Sequence, residues 1–164
     1  MSDSHEIQVE AALTATDEVR QLVGELETVL AVEYPPEQRH GLALDAIFQP
    51  QVRFFLARRQ GIAVGCGGVA LFADYAEVKR MYVRPSARGQ GVAEAILARI
   101  EQEVRDNKLT VLRLETGDRQ FAAMRLYVRA GFRECPAFGD YALKPPQAIA
   151  ASVFFEKRLG VPMA

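Results

Sequence analysis

The sequence has few cysteines and histidines, which limits the disulfide and metal sites that it can build. Its two cysteines, Cys66 and Cys135, lie in apolar surroundings and lack C-x-x-C spacing. We therefore expect buried thiols rather than a disulfide or a metal pair, as in a reducing cytoplasm. The two histidines, His5 and His40, are far apart in the chain, so a structural zinc site has no ligand set.

The sequence also has no excess of charge and no long apolar run. A net charge of −1 gives no electrostatic reason to expect nucleic acid or a membrane surface as a partner. The basic residues between Lys79 and Arg88 form a local patch that suits a small polyanion better than a duplex. No apolar stretch reaches membrane-spanning length, and the polar N-terminal segment lacks a signal-peptide pattern. We expect a cytoplasmic protein.

No internal repeat or low-complexity linker divides the chain. Its 164 residues, 49% of them hydrophobic, suffice for one well-filled core and are few for two. We predict a single domain over residues 1–164.

Hydrophobic periodicity and turn residues predict an α/β fold. A helix is expected to begin at Thr16 and to end at Tyr34-Pro35-Pro36, with Gly131 suited to the left-handed end of a later helix. Helices are predicted at about 17–33, 37–48, 92–107 and 120–129, and strands at 6–9, 52–58, 62–72, 76–83, 109–114 and 152–158. A meander followed by strand–helix–strand favours a 3-layer α-β-α sandwich.

The segment Arg88-Gly89-Gln90-Gly91-Val92-Ala93 lies between a predicted strand and a strongly amphipathic helix. Glycines before a helix leave backbone N–H groups that a ligand can approach closely. The helix dipole adds partial positive charge there, and Arg84 and Arg88 add full charges. The segment therefore predicts a site for a phosphate or pyrophosphate of a nucleotide-like ligand.

Several kinds of glycine-rich turn are compatible with part of this segment. A nucleotide triphosphatase loop is excluded because no lysine follows Gly91. A dinucleotide-binding turn would need a third glycine where Glu94 stands, although Glu115 could still contact a ribose, so NAD binding stays an alternative. The glycines could also serve only as a turn before the helix.

A wider set of motifs resembles the GNAT N-acetyltransferase superfamily, in its small single-domain bacterial form. Arg88-x-x-Gly91-x-Ala93 is similar to the acetyl-coenzyme A signature R/Q-x-x-G-x-G/A. Met81-Tyr82-Val83-x-Pro85 precedes it and Leu126-Tyr127-x-x-x-Gly131-Phe132 follows, in the family's order. The resemblance covers roughly residues 48 to 159. It implies a GNAT-type mixed sheet of about six to seven strands, with the cofactor where two central parallel strands splay apart.

The resemblance implies acetyl-coenzyme A as cosubstrate, no metal, and direct acetyl transfer to a primary amine of a small molecule or amino acid. One departure is Gln120, which stands where many members have asparagine, and its longer amide makes similar hydrogen bonds. The expected cofactor contacts are the backbone of Met81 and Val83, the glycine segment from Arg88 through Gly89, Gln90, Gly91 and Val92 to Ala93, and Gln120. A non-catalytic module that senses acetyl-coenzyme A is the alternative.

Acetyl transfer to an amine needs a base, because an aliphatic amine with a pKa near ~10.4 is almost all ammonium at neutral pH. Glu77 and Glu115 are the candidates, at the ends of strands that flank the glycine segment. Analogy with GNAT enzymes that use a glutamate and water favours Glu77. An ion pair of Glu77 with Lys79 or Arg80 is an equal alternative.

The departing thiolate needs a proton, and Tyr127 matches the tyrosine that many GNAT members place beside the coenzyme A sulfur. Packing against Leu126 and Phe132 is its alternative role. Cys66 is disfavoured as an acyl-enzyme nucleophile, because it lies in mid-strand with no histidine near it in sequence.

The resemblance places the acceptor cleft at Tyr34, Pro35 and the loop Phe138-Gly139-Asp140-Tyr141. Aromatic walls with the Asp140 carboxylate suit a cationic amine or an amino acid, although packing of the aromatics against the C-terminal strand and a turn at Asp140 are favoured by the residues alone. Small GNAT proteins commonly form homodimers, and the apolar C-terminal strand is the expected edge.

Overall fold

The computed structural model of the chain describes residues 6–40 and 43–160. Within these residues, seven strands form one sheet that three α-helices cover. The strands are β1 (Ile7–Ala11), β2 (Val52–Arg59), β3 (Ile62–Leu71), β4 (Ala76–Val83), β5 (Val111–Gly117), β6 (Arg133–Cys135) and β7 (Ser152–Arg158). The helices are α1 (Asp17–Glu33), α2 (Val92–Asp106) and α3 (Phe121–Arg129). His5 lies outside the described residues.

Local signals in the sequence set the ends of these elements. The Val19 N–H donates to Thr16 Oγ1 at 3.3 Å, which caps α1 as predicted. The β2–β3 hairpin turns at Gln60 and Gly61, whose φ angles of 52° and 77° are those of a two-residue hairpin turn. Gly131, with φ 98°, ends the turn after α3 in the left-handed conformation that was expected of it.

The sheet has the order β1-β2-β3-β4-β5-β7-β6. All neighbours are antiparallel except β4 and β5. That parallel pair is short: Ala76 lies opposite Leu112, Glu77 lies opposite Arg113, and the two strands then separate. The splay leaves a gap between the second half of β4 and the end of β5.

Alternating side chains of the strands fill two cores on opposite faces of the sheet. On β2, Phe54 and Leu56 pack with α1, whereas Phe55 and Ala57 pack with α2. Tyr127 of α3 belongs to the α2 core. The described part of the chain is therefore a 3-layer α-β-α sandwich with a mixed sheet of seven strands, as predicted.

The prediction of a helix over residues 37–48 is wrong. Short 3-10 turns lie at Pro36–Gln38 and Leu44–Phe48, while residues 41 and 42 are outside the described part of the chain. Between the turns Arg39 is extended, with φ −103° and ψ 123°. Only Ile47 of the second turn is fully buried, so the segment has too narrow an apolar face to support a longer helix.

The C-terminal strand is not an edge, which corrects the expected dimer contact. β7 lies between β5 and β6, and Arg133–Cys135 pair with Glu156–Phe154. The left-handed residue Gly131 returns the chain along β7, and β6 becomes the outer strand.

Candidate active site

β4 carries a bulge where it leaves β5. Cys66 lies opposite Tyr82 and Gly68 lies opposite Lys79, so two residues of β4, Arg80 and Met81, share one residue of β3. Arg80 has a φ of 56°, which is unusual for a residue with a long side chain. The bulge adjoins the gap in the sheet, and bulges are frequent beside active sites.

The predicted glycine turn lies at the start of α2, with its backbone amides available. Gly89 and Gly91 have φ angles of 74° and 85°, and Gly91 is the N-cap residue of α2. The first helical hydrogen bond runs from the Ala95 N–H to the Gly91 carbonyl at 3.0 Å. The N–H groups of residues 92–94 therefore have no acceptor within the helix, and they lie at its positive end.

Arg88 lies beside this turn. Its Nε donates to the Val83 carbonyl at 3.0 Å, which fixes the guanidinium near the end of β4. The turn and Arg88 together form a site suited to a phosphate or diphosphate.

Two pockets adjoin in the gap. The glycine-turn pocket, about 450 Å³, is lined by Val83, Arg88, Gly91 and their neighbours. The carboxylate pocket, about 130 Å³, is lined by Glu77, Glu115 and Tyr141 among others. Both share a set of lining residues: Leu26, Met81, Gln120, Ala123 and Tyr127.

The structure brings almost all of the expected cofactor residues to the glycine-turn pocket. Those that line it are Met81, Val83, Arg88, Gly89, Gly91, Val92, Ala93 and Gln120. The Gln90 side chain does not line it and instead donates to the Ser86 carbonyl at 3.4 Å. The Gln120 amide donates to the Glu33 carboxylate of α1 at 3.3 Å.

Glu77 is buried, with 3% of the residue exposed, and one of its carboxylate oxygens contacts two neighbouring side chains. Its Oε2 accepts from the Tyr141 hydroxyl at 2.7 Å and from Lys79 Nζ at 2.9 Å. The ion pair with Lys79 that the sequence left open is therefore present, whereas Arg80 pairs with Glu27. Burial raises the pKa of Tyr141 and the Glu77 carboxylate raises it further, so Tyr141 stays a neutral donor.

Glu115 has a different environment in the same pocket. Ser152 Oγ donates to its Oε2 at 2.6 Å. Burial raises the pKa of Glu115, although the Ser152 bond and the positive field of His40 and Lys79 partly oppose the shift. A carboxylate with a raised pKa is a stronger proton acceptor. Glu115 does not line the glycine-turn pocket, so its expected role against a ribose has no support.

Tyr127 lies between the two pockets. Its ring packs against Phe132 at 5.7 Å and Phe155 at 6.4 Å between ring centroids, so the packing role that the sequence left open is present. The same residue lines both pockets. Burial raises the pKa of its phenol, and the Glu115 charge raises it further, which keeps the hydroxyl protonated at neutral pH.

The expected acceptor residues are only partly at the site. Tyr34 and Tyr141 line the carboxylate pocket, whereas Pro35 and Asp140 are exposed and do not. Phe138 packs in a separate cluster against Tyr141. The pocket also includes residues that sequence reasoning did not assign to a site: Gln38, Arg39, His40 and Thr116. Gln38, Arg39 and His40 belong to no local motif, so only the fold shows that they lie at the gap.

Cys66 and Cys135 are both free, and Cys135 is only half-buried. Burial raises the pKa of the Cys66 thiol to about 12, which is unfavourable for a nucleophile. Among residues 6–40 and 43–160, no three His, Cys, Asp or Glu side chains are grouped so that they could hold a metal ion. In the same part of the chain, no helix has the length and apolar character to cross a membrane.

Residues 17–132 match the model of the acetyltransferase (GNAT) family. The chain belongs to the GNAT acetyltransferase family. It is 43% identical over 145 residues to a protein of Azospirillum brasilense named IAA acetyltransferase, with 87% of this chain and 92% of that protein covered. The family match confirms the resemblance to GNAT enzymes that the sequence motifs indicated. The chain is an acetyl-coenzyme A-dependent N-acetyltransferase.

Solved GNAT structures have the same fold. A protein of Klebsiella pneumoniae assigned as an acyl-CoA N-acyltransferase superimposes with a TM-score of 0.77 at 31% identity, covering 95% of this chain and 99% of that one. A GNAT acetyltransferase of Elizabethkingia anophelis with acetyl-CoA bound has a TM-score of 0.64 at 17% identity, with 93% and 98% covered.

Proposed function

We propose that this GNAT enzyme transfers the acetyl group of acetyl-coenzyme A directly to a primary amine of a small molecule or amino acid. One observation carries the proposal: an amide-lined pocket at the glycine turn joins a carboxylate-lined pocket beside Tyr127. Acetyl-coenzyme A supplies an activated acetyl thioester. The two pockets provide separate places for an anionic donor and an amine acceptor, as a ternary complex requires.

The glycine-turn pocket fits the donor. The free N–H groups at the start of α2, together with Arg88, would hold the diphosphate, and Gln90 would take part through its backbone alone. Met81 and Val83 line the pocket on the strand that has separated from β5, so their backbone groups would bind the extended arm of the donor and the carbonyl oxygen of its acetyl group. Gln120, held by Glu33, would border that arm.

We infer that Glu115 rather than Glu77 accepts the proton of the acceptor amine. Glu77 Oε2 is already occupied, because it forms an ion pair with Lys79 and accepts a hydrogen bond from Tyr141. Burial raises the pKa of Glu115, which makes it more basic. Glu77 would then attract the ammonium form of the acceptor and orient it.

Tyr127 would donate a hydrogen bond to the departing sulfur. Its raised pKa keeps the hydroxyl protonated, and its ring contacts with Phe132 and Phe155 fix its position. Proton transfer from a phenol to a thiolate, whose thiol has a pKa near ~8.5, is uphill. Charge stabilisation by the hydrogen bond is therefore its main contribution.

The test is a screen of amines and amino acids with acetyl-coenzyme A, in which release of free thiol measures transfer. We expect turnover with at least one primary amine and mass-spectrometric evidence of its N-acetyl product. The sensor alternative predicts tight binding of acetyl-coenzyme A with no transfer to any amine. Calorimetric titration with NAD against coenzyme A tests the dinucleotide alternative, and preferential NAD binding would contradict the proposal.

We also propose that the enzyme is a single cytoplasmic domain. The two free cysteines support a reducing, cytoplasmic environment and the continuous sheet supports a single domain over the whole chain. A homodimer stays a prediction, and its contact surface would be β1, β6 or a helical face. Light scattering coupled to size-exclusion chromatography measures the oligomeric state.

A further inference from the structure

Ser152 lies beside the proposed base, Glu115, on the neighbouring strand of the sheet. β5 pairs with β7 in the antiparallel direction, and Gly117 lies opposite Ser152. Glu115 is two residues before Gly117, so Ser152 and Glu115 are diagonal neighbours on one face of the sheet. The Ser152 hydroxyl donates a hydrogen bond to Glu115 Oε2 at 2.6 Å. The register of the two strands therefore brings this hydroxyl to the carboxylate.

The backbone fixes the place of Ser152 without help from its hydroxyl. The Ser152 N–H donates to the Ile149 carbonyl at 3.0 Å. The Asp118 N–H donates to the carbonyl of the preceding residue, Ala151, at 2.8 Å. These two bonds join the start of β7 to the end of β5. A substitution that removes only the hydroxyl therefore leaves the strand pairing in place.

Ser152 contacts Glu115 from outside the carboxylate pocket. Glu115 lines that pocket, whereas Ser152 lines neither pocket. An effect of the hydroxyl on the reaction therefore passes through Glu115. A glutamate side chain has several rotatable bonds, and a catalytic group has to be held within about 0.5 Å of its productive position. The bond to Ser152 uses Oε2, and the second carboxylate oxygen, Oε1, can accept the proton of the amine.

Other titratable side chains interact with Glu115 from several parts of the chain. They are Glu77 and Lys79 of β4, His40 after α1, Tyr127 of α3, and Tyr141 of the 3-10 turn Gly139–Leu143. Burial raises the pKa of Glu115, the Ser152 bond opposes this shift, as do His40 and Lys79, and the Glu77 charge adds to it. Because the hydroxyl bond favours the charged form, loss of the hydroxyl should raise the pKa of Glu115 further.

We propose that Ser152 is a positioning residue of the reaction, whose hydroxyl holds the Glu115 carboxylate where it accepts the proton of the acceptor amine. This inference rests on the acetyl-transfer function and on the choice of Glu115 as base proposed above. The acceptor ammonium gives one proton to Glu115, the neutral amine attacks the thioester carbonyl carbon, and the C–S bond breaks. A second proton from the same nitrogen neutralises the thiolate, so that the products are the N-acetyl compound and coenzyme A.

The experiment measures kcat and kcat/KM against pH, with one primary-amine acceptor, for the wild type and for Ser152→Ala. We expect the acidic limb of kcat/KM to lie about one pH unit higher in Ser152→Ala, because a hydrogen bond to a charged group is lost. Above the limb Glu115 is ionised in both enzymes, and kcat should still be about tenfold lower because the carboxylate is no longer held. Carbon-13 NMR of the side-chain carboxyl groups, with Glu115→Gln to assign the signal, should show the same rise in the pKa of Glu115 without substrate.

Two further variants are the controls. Ser152→Thr keeps a hydroxyl in a residue that suits a strand, so it should restore the wild-type limb and part of kcat. Thr28→Ala removes a hydroxyl that donates to the Gly24 carbonyl at 3.0 Å within α1. Thr28 lines neither pocket, so the pH profile of this variant should match that of the wild type. Thermal melts show that each variant is folded.

An acidic limb and a Glu115 pKa that stay at their wild-type values in Ser152→Ala would overturn the inference and leave acetyl transfer intact. An acidic limb that persists in Glu115→Gln would also overturn it, since Glu115 would not be the base. If no amine were acetylated, the proposed function would fail, and the NMR titration would still decide whether the Ser152 hydroxyl acts on Glu115.

Discussion

The phenol of Tyr34 fills the space that a Cβ atom on Gly117 would need. Its hydroxyl accepts a hydrogen bond from the Arg119 N–H at 2.8 Å, which fastens the end of α1 to the turn before α3. Gly117→Ala should displace the phenol, break this bond and lower the free energy of unfolding by about 1–3 kcal/mol. Urea denaturation measures the loss.

Gly24→Ala is the matched control for that substitution. A Cβ atom on Gly24 has no neighbour within 4 Å, and the residue lies inside α1. Alanine should therefore stabilise the protein by about 0.5–1 kcal/mol. A Gly117→Ala protein as stable as the wild type would show that the chain accommodates the methyl group without moving Tyr34.

Gly91→Val should weaken acetyl-coenzyme A binding about tenfold or more. The nearest atom to an added Cβ, Ile7 Cδ1, would be 3.9 Å away, so space is not limiting. A φ of 85° is, however, strained for valine, by about 1–2 kcal/mol, and relief of that strain would turn the free amides of the helix start away from the ligand. Calorimetry gives the Kd.

Gly61→Val separates backbone strain from binding. Gly61 has a similar φ of 77° and open space around it, but it lies in the β2–β3 hairpin and lines neither pocket. This variant should lose comparable stability and keep its affinity. If both variants bound acetyl-coenzyme A as the wild type does, the glycine turn would not be the diphosphate site.

Tyr127→Phe should lower kcat by about 10²-fold with little change in the Kd of coenzyme A, since the ring contacts remain and only the hydroxyl is lost. Single-turnover kinetics would locate the effect in the chemical step. Tyr75→Phe removes a phenol that lines neither pocket and is the control. Full turnover by the Tyr127 variant excludes the hydroxyl from the mechanism.

The pH dependence should reveal the base. Because burial raises the pKa of Glu115, the carboxylate that accepts a proton forms at a higher pH than for an ordinary glutamate. We expect kcat/KM to rise with pH along an acidic limb whose midpoint lies above about 4.3, the ordinary glutamate value. Glu115→Gln should lower the rate and abolish this limb.

Glu77→Gln is the comparison variant. It should weaken the binding of the acceptor and retain the acidic limb of the kcat/KM profile. The opposite pattern, in which only Glu77→Gln removes the limb, would assign the base to Glu77.

Elements whose signals are local could be predicted from the sequence. The strand over 76–83, the Thr16 cap and the glycine turn each depend on neighbouring residues, and the structure has all of them. β6 has only three residues and no periodicity, and its place depends on pairing with β7. The bulge at Arg80 has no signal of its own, because it depends on the register with Gly67 of the neighbouring strand.

The site divides in the same way. The glycine-turn residues are close in sequence and follow a motif, so their grouping was predictable. Glu77 and Glu115 could be named as candidates, but their partners could not, since Tyr141 and Ser152 lie 64 and 37 residues away from them. Arg39 reaches the pocket only because α1 ends across the gap.

The short pairing of β4 with β5 should make the stability of the protein depend on what binds in the gap. Among the described residues, the backbone ladder between the first four strands and the remaining three consists of two residue pairs. Acetyl-coenzyme A bound in the gap would contact both parts of the sheet. It would then stabilise the folded form by mass action. Removal of the donor should therefore lower the free energy of unfolding.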